Sequence, residues 1–366
     1  MEEKKLCLAV GSAPTYRKEI FVRIGNELRA DFVVGSGSTK QMDRKLLPNK
    51  VTEIMTIRIG KTPFYRQTGI LRSTRGYNKI IVSFGIFSIS EWLLLLVSKF
   101  RHQEIYAWTH GWYGKEGRLK EWIKLFYYKK FTKIFVYGER ARKMMIERGF
   151  APNKIEVIYN SLAYSEQLKI RQKIVPTRLY HDHFGNDNKN IIFVGRLTKV
   201  KQFNLLLDAV AEIKRRGELI NVTFIGDGEE RANMEDRVKK LNITEQVWFY
   251  GACYDERTNA EMIYNADLCV SPGNIGLTAM HVMMFGCPAI TNDDFDHQMP
   301  EFEAINSGRT GSFFKAGDSS SLADAISMWF KSSKREEVRL ACYKEIDCKW
   351  NPNVQIEIFK KALNEE

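Results

Sequence analysis

The sequence predicts an α/β protein with two doubly wound domains, each built on a parallel β-sheet. The chain of 366 residues exceeds the size at which one hydrophobic core usually keeps growing. Short apolar runs alternate with helical segments in both halves, which is typical of parallel sheets covered by helices on both faces. The polar stretch 181–190 interrupts this alternation and is the best linker candidate.

The first domain is predicted to span residues 1–180. Its helix is predicted over 17–28 and its strands over 6–10, 31–34, 80–87, 104–108, 134–137 and 155–158. The apolar segment 80–100 is about long enough to cross a bilayer, but Gly85, several serines and Glu91 interrupt it. We therefore interpret it as a strand and a buried helix that begins near Ser90, with a membrane span as the alternative.

The second domain is predicted to span residues 181–349. Its strands are expected over 191–194, 221–225, 247–250, 268–270 and 289–291. Residues 350–366 are predicted to form a terminal helix that begins at an Asn-Pro pair, with a return to the first domain as one option.

The charge is unevenly distributed between the two halves. Residues 1–180 contain 34 Lys and Arg against 15 Asp and Glu, whereas residues 181–366 contain 22 against 29. A basic half indicates an anionic partner, and charge alone does not choose between a membrane surface, a phosphorylated lipid and nucleic acid.

The cysteines and the amino terminus indicate a cytoplasmic protein. The six cysteines are scattered, form no CxxC pair and mostly lie in apolar runs, a pattern that favours buried thiols in a reducing compartment. The first residues, MEEKKLCLAVG, contain no signal-peptide core, so export is not expected.

The segment 191–201, IIFVGRLTKVK, is the first candidate site. An apolar strand ends at a glycine, and Arg196 and Lys201 follow it before a predicted helix. In such a strand–turn–helix unit the ligand crevice lies at the carboxyl end of the strand, where helix amino termini favour anions. The two cations therefore favour a phosphate-bearing ligand, with solvated surface cations as the alternative.

A second candidate is the loop and helix at 271–290. Gly273 and Gly276 allow backbone N–H groups to come close to a ligand. His281 lies about one turn inside the predicted helix, where it either faces a ligand or simply packs.

Several motifs together resemble the GT-B glycosyltransferases, most closely the large retaining group called glycosyltransferase family four. They are GRLTKVK at 195–201, FIGDGEER at 224–231, FYGACYDE at 249–256, YNADLCVSPG at 264–273 and MPEFEAINSGRTGSFF at 299–314. The resemblance implies two Rossmann-like domains that face each other across a cleft. It also implies that Arg196 and Lys201 hold the diphosphate of a nucleotide-sugar donor, without a metal or cofactor.

The same resemblance implies a donor-binding set, which comprises Gly11, Ser12, Gly226, Asp227, Gly251, Cys253, Gly273, Asn274, Ile275, Gly276, Leu277, His281 and Glu301. The sequence departs from the family at two positions, because Gly273 and His281 stand where members usually carry glutamates. His281 is expected to hydrogen-bond the ribose, and backbone N–H groups of 274–277 the sugar. Glu301 or Glu303 is expected to supply the lost carboxylate. Asp293, Asp294 and Asp296 are interpreted as loop residues, with an ion site as the alternative.

The first half contributes WTHGWYGKEGRLKEW at 108–122. The resemblance implies that His110 touches the donor sugar near its reacting carbon. Trp112, Tyr113 and Glu116 are predicted to bind the acceptor, since aromatic rings suit the apolar faces of sugars; the alternative is that these aromatic residues belong to the core. Tyr16 and Arg17, in the loop after the first strand, are expected to face the acceptor as well.

The segment 118–133 combines apolar residues on one helical face with lysines on its flanks. Leu119, Trp122, Ile123 and Phe126 share this face. The pattern predicts a helix in a membrane interface, with an ordinary amphipathic surface helix as the alternative.

These observations predict a peripheral membrane glycosyltransferase on the inner leaflet of the cytoplasmic membrane. It would move a sugar to a hydroxyl of a glycan acceptor, itself linked to polyprenyl diphosphate, in capsule or O-antigen biosynthesis, with retention of configuration. The alternatives are a nucleotide-sugar epimerase of the same fold, which needs cleft carboxylates that are scarce here, and a basic nucleic-acid-binding protein. No nucleic-acid motif accompanies the charge, so nucleic acid is not expected as a partner.

Overall fold

A computed structural model describes residues 5–37 and 41–364 of the chain. The chain divides into two compact units, one formed by Met1–Ala163 with Asn351–Glu366 and the other by Tyr164–Trp350. The amino-terminal residues 1–4, on which part of the signal-peptide argument rests, lie outside the described residues.

The first unit contains a parallel sheet and a small hairpin. Its strands are β1 (Leu6–Val10), β2 (Asp31–Gly35), β3 (Val51–Ile54), β4 (Thr56–Arg58), β5 (Tyr65–Gln67), β6 (Lys79–Ser83), β7 (Glu104–Thr109), β8 (Lys133–Val136) and β9 (Ile155–Val157). The order in the sheet is β3-β2-β1-β6-β7-β8-β9, with all pairs parallel, whereas β4 and β5 pair with each other in antiparallel fashion. Strands such as β1 are buried along their whole length, which requires the continuous apolar runs seen in the sequence.

Helices cover both faces of this sheet. They are α1 (Lys18–Glu27), α2 (Ile70–Ser73), α3 (Ile89–Phe100), α4 (Arg118–Tyr128) and α5 (Glu139–Glu147). Two hydrophobic clusters result, one that includes Phe21 and Trp108 and another that includes Leu94 and Tyr127. Opposite faces of the strands feed the two clusters, because successive side chains of a strand point to opposite sides.

The second unit repeats the design. Its helices are α6 (Tyr164–Arg171), α7 (Leu179–Phe184), α8 (Phe203–Arg215), α9 (Arg231–Lys240), α10 (Glu256–Asn265), α11 (Thr278–Met284), α12 (Ser319–Ser332) and α13 (Arg335–Cys348). Its strands are β10 (Lys189–Val194), β11 (Ile220–Ile225), β12 (Val247–Gly251), β13 (Leu268–Ser271), β14 (Ala289–Asn292) and β15 (Gly311–Phe314), in the parallel order β12-β11-β10-β13-β14-β15. The chain ends in α14 (Pro352–Asn364), which packs against α1 of the first unit.

Most predicted strands are present within one or two residues of the expected positions, and three differences have clear physical causes. The strand predicted at 80–87 ends at Ser83, because Gly85 and Ser88 turn the chain and Ser88 caps α3. Residues 164–180, assigned to the first domain from sequence, form α6 and the start of α7, which continues into the predicted linker as far as Phe184, and the second unit begins at Tyr164. The edge strands β3 and β15 were not predicted, since edge strands are short and only partly apolar.

The apolar segment 80–100 forms β6 and α3, and most of the cysteines lie in the core. Within the described residues, no helix is both long and apolar enough to span a membrane. The thiols of Cys7, Cys269, Cys287 and Cys342 are buried and unpaired, as their apolar surroundings predict.

Candidate functional site

The first cluster of candidate residues lies in the second unit, where β10 and β13 are neighbours in the sheet. β10 ends at Val194, and Gly195, Arg196 and the short 3-10 turn Lys199–Lys201 then lead into α8. The strand order reverses between β10 and β13, so the loops after these two strands diverge and leave room for a ligand. Arg196 and the loop 271–277 therefore share one edge of the sheet.

The two predicted cations are brought together at this edge. The Arg196 side chain is exposed, and its guanidinium group has no hydrogen-bond partner within the described part of the chain. Lys201 is partly buried and its Nζ donates to the carbonyl oxygens of Asn274, at 2.5 Å, and Ile275, at 3.2 Å. Two neighbouring cations, one of them without a counter-ion, form a site that an anion would stabilise.

Burial lowers the pKa of the Lys201 ammonium to about 8. The buried thiol of Cys269 and the carboxylate of Glu301 oppose this shift, and the positive charge of Arg196 adds to it. Lys201 is therefore charged at neutral pH but lies close to its titration range.

This pKa predicts a basic limb in the activity profile. Above about pH 8 the Lys201 ammonium loses its proton, and with it the charge that would face an anionic donor, so kcat/KM is expected to fall by up to tenfold per pH unit. Steady-state rates between pH 6 and 10 measure this limb. Lys201→Arg, which stays charged across the range, is expected to remove it; an unchanged limb in that variant would assign the titration to another group.

Glycines permit the close backbone packing that forms this edge. A Cβ on Gly273 would lie 1.9 Å from the carbonyl oxygen of Val200, and Gly273 N donates to Lys201 O at 2.9 Å. Gly226 has a φ of 150°, and a Cβ there would lie 1.8 Å from Gly195 O. Only glycine fits at these two positions, because any larger residue would separate the loops that surround the two cations.

The loop after β13 uses part of its backbone for its own structure. The N–H of Asn274 donates to Val200 O at 3.3 Å, and the N–H of Ile275 donates to Gln298 Oε1 at 3.0 Å. The expectation that these two N–H groups meet sugar hydroxyls does not fit this arrangement. Within the described residues, the N–H groups of Gly276 and Leu277, at the start of α11, have no hydrogen-bond partner and remain available to a ligand.

His281 has a protein partner. Its Nε2 lies 2.9 Å from Glu256 Oε1, and the same carboxylate accepts a hydrogen bond from Gln167 Nε2 at 2.8 Å. Burial raises the pKa of Glu256, but the hydrogen bond and charge of His281 outweigh it and lower this pKa. The ring is therefore held by α10, and a ribose contact would have to use its other nitrogen.

Glu301, rather than Glu303, lies close to the cation pair. Glu301 is buried in the 3-10 turn Pro300–Ala304, and its carboxylate acts electrostatically on Lys201. Glu303 is partly exposed and has no comparable effect on Lys201. Of the two carboxylates that the sequence left open, Glu301 is the better placed.

The other residues of this unit that were predicted to bind the nucleotide-sugar donor lie near the same edge of the sheet. Two of them make backbone hydrogen bonds there. Asp227 is exposed and its carbonyl accepts from Leu197 N at 3.0 Å, while Gly251 O accepts from Gly226 N at 2.8 Å. Cys253 is partly buried in the turn before α10. No group of three or more His, Cys, Asp and Glu in the described ranges is placed to hold a metal ion. Asp293 instead accepts from Ala316 N at 2.9 Å.

A second cluster lies in the first unit, at the carboxyl ends of β1, β6, β7 and β8. Arg17 follows β1 and donates through Nη2 to the hydroxyl of Tyr137, and its guanidinium carbon lies 5.1 Å from the ring centre of Trp108. The His110 ring centre lies 4.7 Å from that of Tyr137. Burial, together with the positive charges of Arg17 and Lys124, lowers the pKa of His110 to about 4. His110 is therefore neutral at physiological pH.

The predicted acceptor role of Trp112 and Glu116 does not fit the structure. Trp112 is 2% exposed, with Tyr128 and Phe150 packed around it, so its ring presents no face to a sugar. Glu116 forms a buried ion pair with Lys124. The alternative considered from the sequence, a core position, is correct for Trp112.

The other predicted residues of the first unit lie near the cluster. Tyr113 is partly exposed and its ring centre lies 5.8 Å from that of His110. Tyr16 is exposed next to Arg17, and Gly11 and Ser12 are partly buried where β1 ends. Sequence reasoning missed Tyr137 and Glu91, whose positions at strand and helix ends beside the cluster depend on the fold.

Comparison with known proteins relates the second unit to a described family. Residues 181–345 match the model described as glycosyl transferases group 1. Among curated relatives, an uncharacterised 41.2 kDa protein in the cps region of Klebsiella pneumoniae is 25% identical, with 54% of this chain and 52% of the relative covered. The amylovoran biosynthesis glycosyltransferase AmsD of Erwinia amylovora is 24% identical, with 48% and 47% covered. The chain spans about half the length of these relatives.

Solved structures match the whole chain in fold. HepE of Anabaena in complex with UDP aligns with a TM-score of 0.74 at 13% identity, with 99% of this chain and 100% of that chain covered. The lipopolysaccharide outer core galactosyltransferase WaaB, in its apo form, aligns with a TM-score of 0.71 at 15% identity, with 98% and 99% covered.

Proposed function

We propose that this protein, whose residues 181–345 match the model of glycosyl transferases group 1, transfers a sugar from a nucleotide-sugar donor to a hydroxyl of a glycan acceptor. The predicted GT-B fold of two Rossmann-like domains is confirmed by its structural neighbours. The observation that carries the proposal is the cation pair Arg196 and Lys201, at the edge where the strand order of the second sheet reverses.

The cation pair matches the needs of the leaving group. When the bond between the sugar carbon and the diphosphate oxygen breaks, negative charge grows on the diphosphate. Fixed cations next to the diphosphate stabilise the transition state more than the ground state, and this difference lowers the activation free energy. Arg196, which has no counter-ion within residues 5–37 and 41–364, would lose no contact with these residues on meeting the diphosphate.

The remaining roles follow from the residues that surround the pair. The free N–H groups of Gly276 and Leu277 and the carboxylate of Glu301 are proposed to orient the sugar, and His281 the ribose. His110 of the first unit is proposed to contact the sugar near its reacting carbon. We propose retention of configuration, in which the acceptor oxygen bonds to that carbon on the face from which the diphosphate leaves, and its proton passes to the departing phosphate.

The biosynthetic setting is proposed from the relatives. The Klebsiella relative lies in a cps region and the Erwinia relative acts in amylovoran biosynthesis, according to their names. From these two names we propose that the protein acts in surface polysaccharide biosynthesis, as a capsule or O-antigen enzyme. A polyprenyl-diphosphate-linked acceptor would place the enzyme on the inner leaflet of the cytoplasmic membrane.

An exposed apolar surface on α3 and α4 supports membrane contact. On α4, Leu119 is 73% exposed, Trp122 65% and Phe126 51%. The Trp122 and Phe126 rings stack at 6.2 Å, and Phe126 stacks in turn on Trp92 of α3 at 5.9 Å. The same helix α3 exposes Ile89, Leu93, Leu96 and Phe100. Lysines flank this surface, which suits the interface of an anionic bilayer.

We expect Leu119→Glu with Trp122→Glu to release the protein from membranes. Each large apolar side chain that enters the interface contributes about 1.5 kcal/mol or more, so the double variant should bind vesicles at least tenfold more weakly. Flotation with vesicles of 30% phosphatidylglycerol in phosphatidylcholine measures this binding. Leu340→Glu, at an exposed leucine of the second unit, is the matched control and should float like wild type. Equal flotation of all three proteins would refute the membrane contact.

A panel of nucleotide sugars tests the proposed activity. The protein is incubated with UDP-, GDP-, dTDP- and CMP-linked sugars, and thermal stabilisation and release of free nucleotide are measured. One donor class is expected to stabilise the fold and to be hydrolysed slowly, since water can take the place of the acceptor hydroxyl when no glycan is present. Absence of binding and hydrolysis for every donor would contradict the proposal.

A further inference from the structure

The first unit contains a cavity of about 270 Å³ at the carboxyl ends of β1, β6, β7 and β8. Arg17, Glu91, Trp108, His110 and Tyr137 are among its lining residues. The cavity lies beside the point where the strand order of the first sheet reverses, between β1 and β6, which is where parallel sheets bind ligands. Its volume is near the lower end of that of small-ligand pockets and suits a single sugar ring.

Three nitrogen atoms on its lining residues are shielded from water and lack a hydrogen-bond partner. They are Arg17 Nε, Trp108 Nε1 and His110 Nδ1. Buried polar groups in native proteins are nearly always hydrogen-bonded, so three such atoms around one cavity need an explanation. Arg17 Nε and Trp108 Nε1 can only donate, and a neutral His110 carries one further N–H on its ring. The missing partner is therefore rich in acceptor atoms.

The charge of the cavity favours an acid group. The Arg17 guanidinium is permanently charged, and its side-chain hydrogen bonds go to neutral hydroxyls, those of Tyr137 and Tyr16. The carboxyl group of Glu91 is already hydrogen-bonded within the protein. Its Oε2 accepts from Gly85 N at 2.7 Å, and the Tyr127 side chain also hydrogen-bonds the carboxyl group. Burial raises the pKa of Glu91 to about 7, so its negative charge is only partial at neutral pH. Among the residues that the structure describes, Arg17 thus lacks a full counter-ion.

Aromatic rings complete the walls. Tyr127, Tyr128 and Tyr137 line the cavity together with Trp108 and His110. Such rings pack against the apolar faces of sugars, whereas a guanidinium group recognises carboxylate or phosphate oxygens with paired N–H donors. A sugar that carries an acid group satisfies both features.

We propose that this cavity binds the acid group of the glycan acceptor, a carboxylate or phosphate next to a sugar ring, so that the enzyme selects anionic acceptors. The inference rests on the proposed transferase function but concerns only the first unit. Arg17 supplies the charge, and Trp108 Nε1 and His110 Nδ1 supply hydrogen bonds that the free protein lacks, which leaves the other ring nitrogen of His110 for the donor sugar. These residues define acceptor specificity, separately from the cations that hold the donor.

Binding of three probes by calorimetry tests the inference on the full chain without donor. D-Glucuronate and glucose 1-phosphate carry the acid group as a carboxylate and as a phosphate, and D-glucose lacks it. At least one of the acids is expected to bind tenfold or more tightly than glucose, since a charged hydrogen bond distinguishes them. The acid that binds identifies the source of the oxyanion. Equal binding of all three probes, or none, would overturn the inference.

Variants locate the binding. Arg17→Met is expected to remove the preference for acids, while Arg66→Met, at an exposed arginine of the same unit, should preserve it. Tyr137→Phe, which keeps the ring but removes the hydroxyl that orients Arg17, should weaken acid binding severalfold even if Arg17→Met unfolds the protein. Retained preference in both Arg17→Met and Tyr137→Phe would refute the assignment.

Donor binding separates this inference from the proposed function. All variants should bind the preferred nucleotide like wild type, since Arg196 and Lys201 belong to the second unit. Normal donor binding without any acid preference would overturn the acceptor inference alone. Loss of donor binding in wild type would contradict the transferase function itself.

Discussion

Arg196→Met is expected to lower kcat/KM for sugar transfer by about 10²–10³-fold, the range found when one donor to a developing negative charge is removed. Arg196 is exposed and has no hydrogen-bond partner in the described part of the protein, so its loss should leave the fold intact. The melting temperature of Arg196→Met is therefore expected to match that of the wild-type protein. A large loss of rate at unchanged stability is what a role at the diphosphate requires.

Lys201→Met is expected to differ from Arg196→Met in one respect. Its Nζ donates to the carbonyls of Asn274 and Ile275, so its removal also leaves two loop acceptors without their donor. The variant should lose both rate and stability. A double variant at both positions should lack measurable transfer, because no cation of the pair then meets the leaving group.

Lys199→Met is the matched control for this series. Lys199 is an exposed lysine in the same 3-10 turn as Lys201. The rate of Lys199→Met should stay within a factor of two or three of wild type if the position of a cation, and not its charge alone, decides the effect. Full activity in the double variant, or an equal loss in the control, would assign the diphosphate to another part of the protein.

The cation pair could be predicted from sequence because its position depends only on strand order. A buried apolar run fixes β10, parallel strands end at one edge, and the residues that follow β10 must then lie beside the loop after β13. No side-chain detail is needed for this step. The same reasoning brings Arg17 and His110 to one edge of the first sheet.

Details that depend on partners distant in the chain could not be predicted. The N–H of Ile275 donates to the side chain of Gln298, and the His281 ring hydrogen-bonds the carboxylate of Glu256. Nothing near Ile275 or His281 in the sequence indicates these partners. Sequence patterns report which residues are apolar and how they are spaced. They do not show which hydrogen-bond donors are already bonded to acceptors within the protein. Only the donors without such a bond are available to a ligand.

Trp112 and Glu116 illustrate the same limit. A tryptophan and a glutamate after a strand suit a sugar site and a core position equally well. Lys124, in the second turn of α4, makes the difference. Its Nζ donates to Glu116 Oε1 and to Gly111 O, both at 2.6 Å, and lies 4.7 Å from the Trp112 ring centre. These contacts hold the loop 111–117 closed against the core.

Lys124→Met is expected to lower the free energy of unfolding by about 3–5 kcal/mol, because it leaves the carboxylate of Glu116 buried without its counter-ion. The side chains of Lys124 and Glu116 are only 6% and 3% exposed, so water cannot replace the lost partner. Denaturant unfolding measures the loss. Lys120→Met, at an exposed lysine of the same helix, is the matched control and should change stability by no more than about 0.5 kcal/mol.

The acid limb of stability identifies the pair independently. Burial raises the pKa of Glu116, but the hydrogen bond and charge of Lys124, with the N–H groups of Tyr113 and Gly114, lower it to about 2. A carboxylate with a lowered pKa contributes its stability above the unfolded-state pKa of about 4.3 and loses it as pH falls toward 2. The stability of Glu116→Gln should not show this loss between pH 4.5 and 2. The double variant Glu116→Met, Lys124→Met should be more stable than Lys124→Met, because no unpaired charge is then buried. A wild-type profile flat below pH 4.5, with both single variants as stable as wild type, would show that the pair is open to solvent and does not hold the loop.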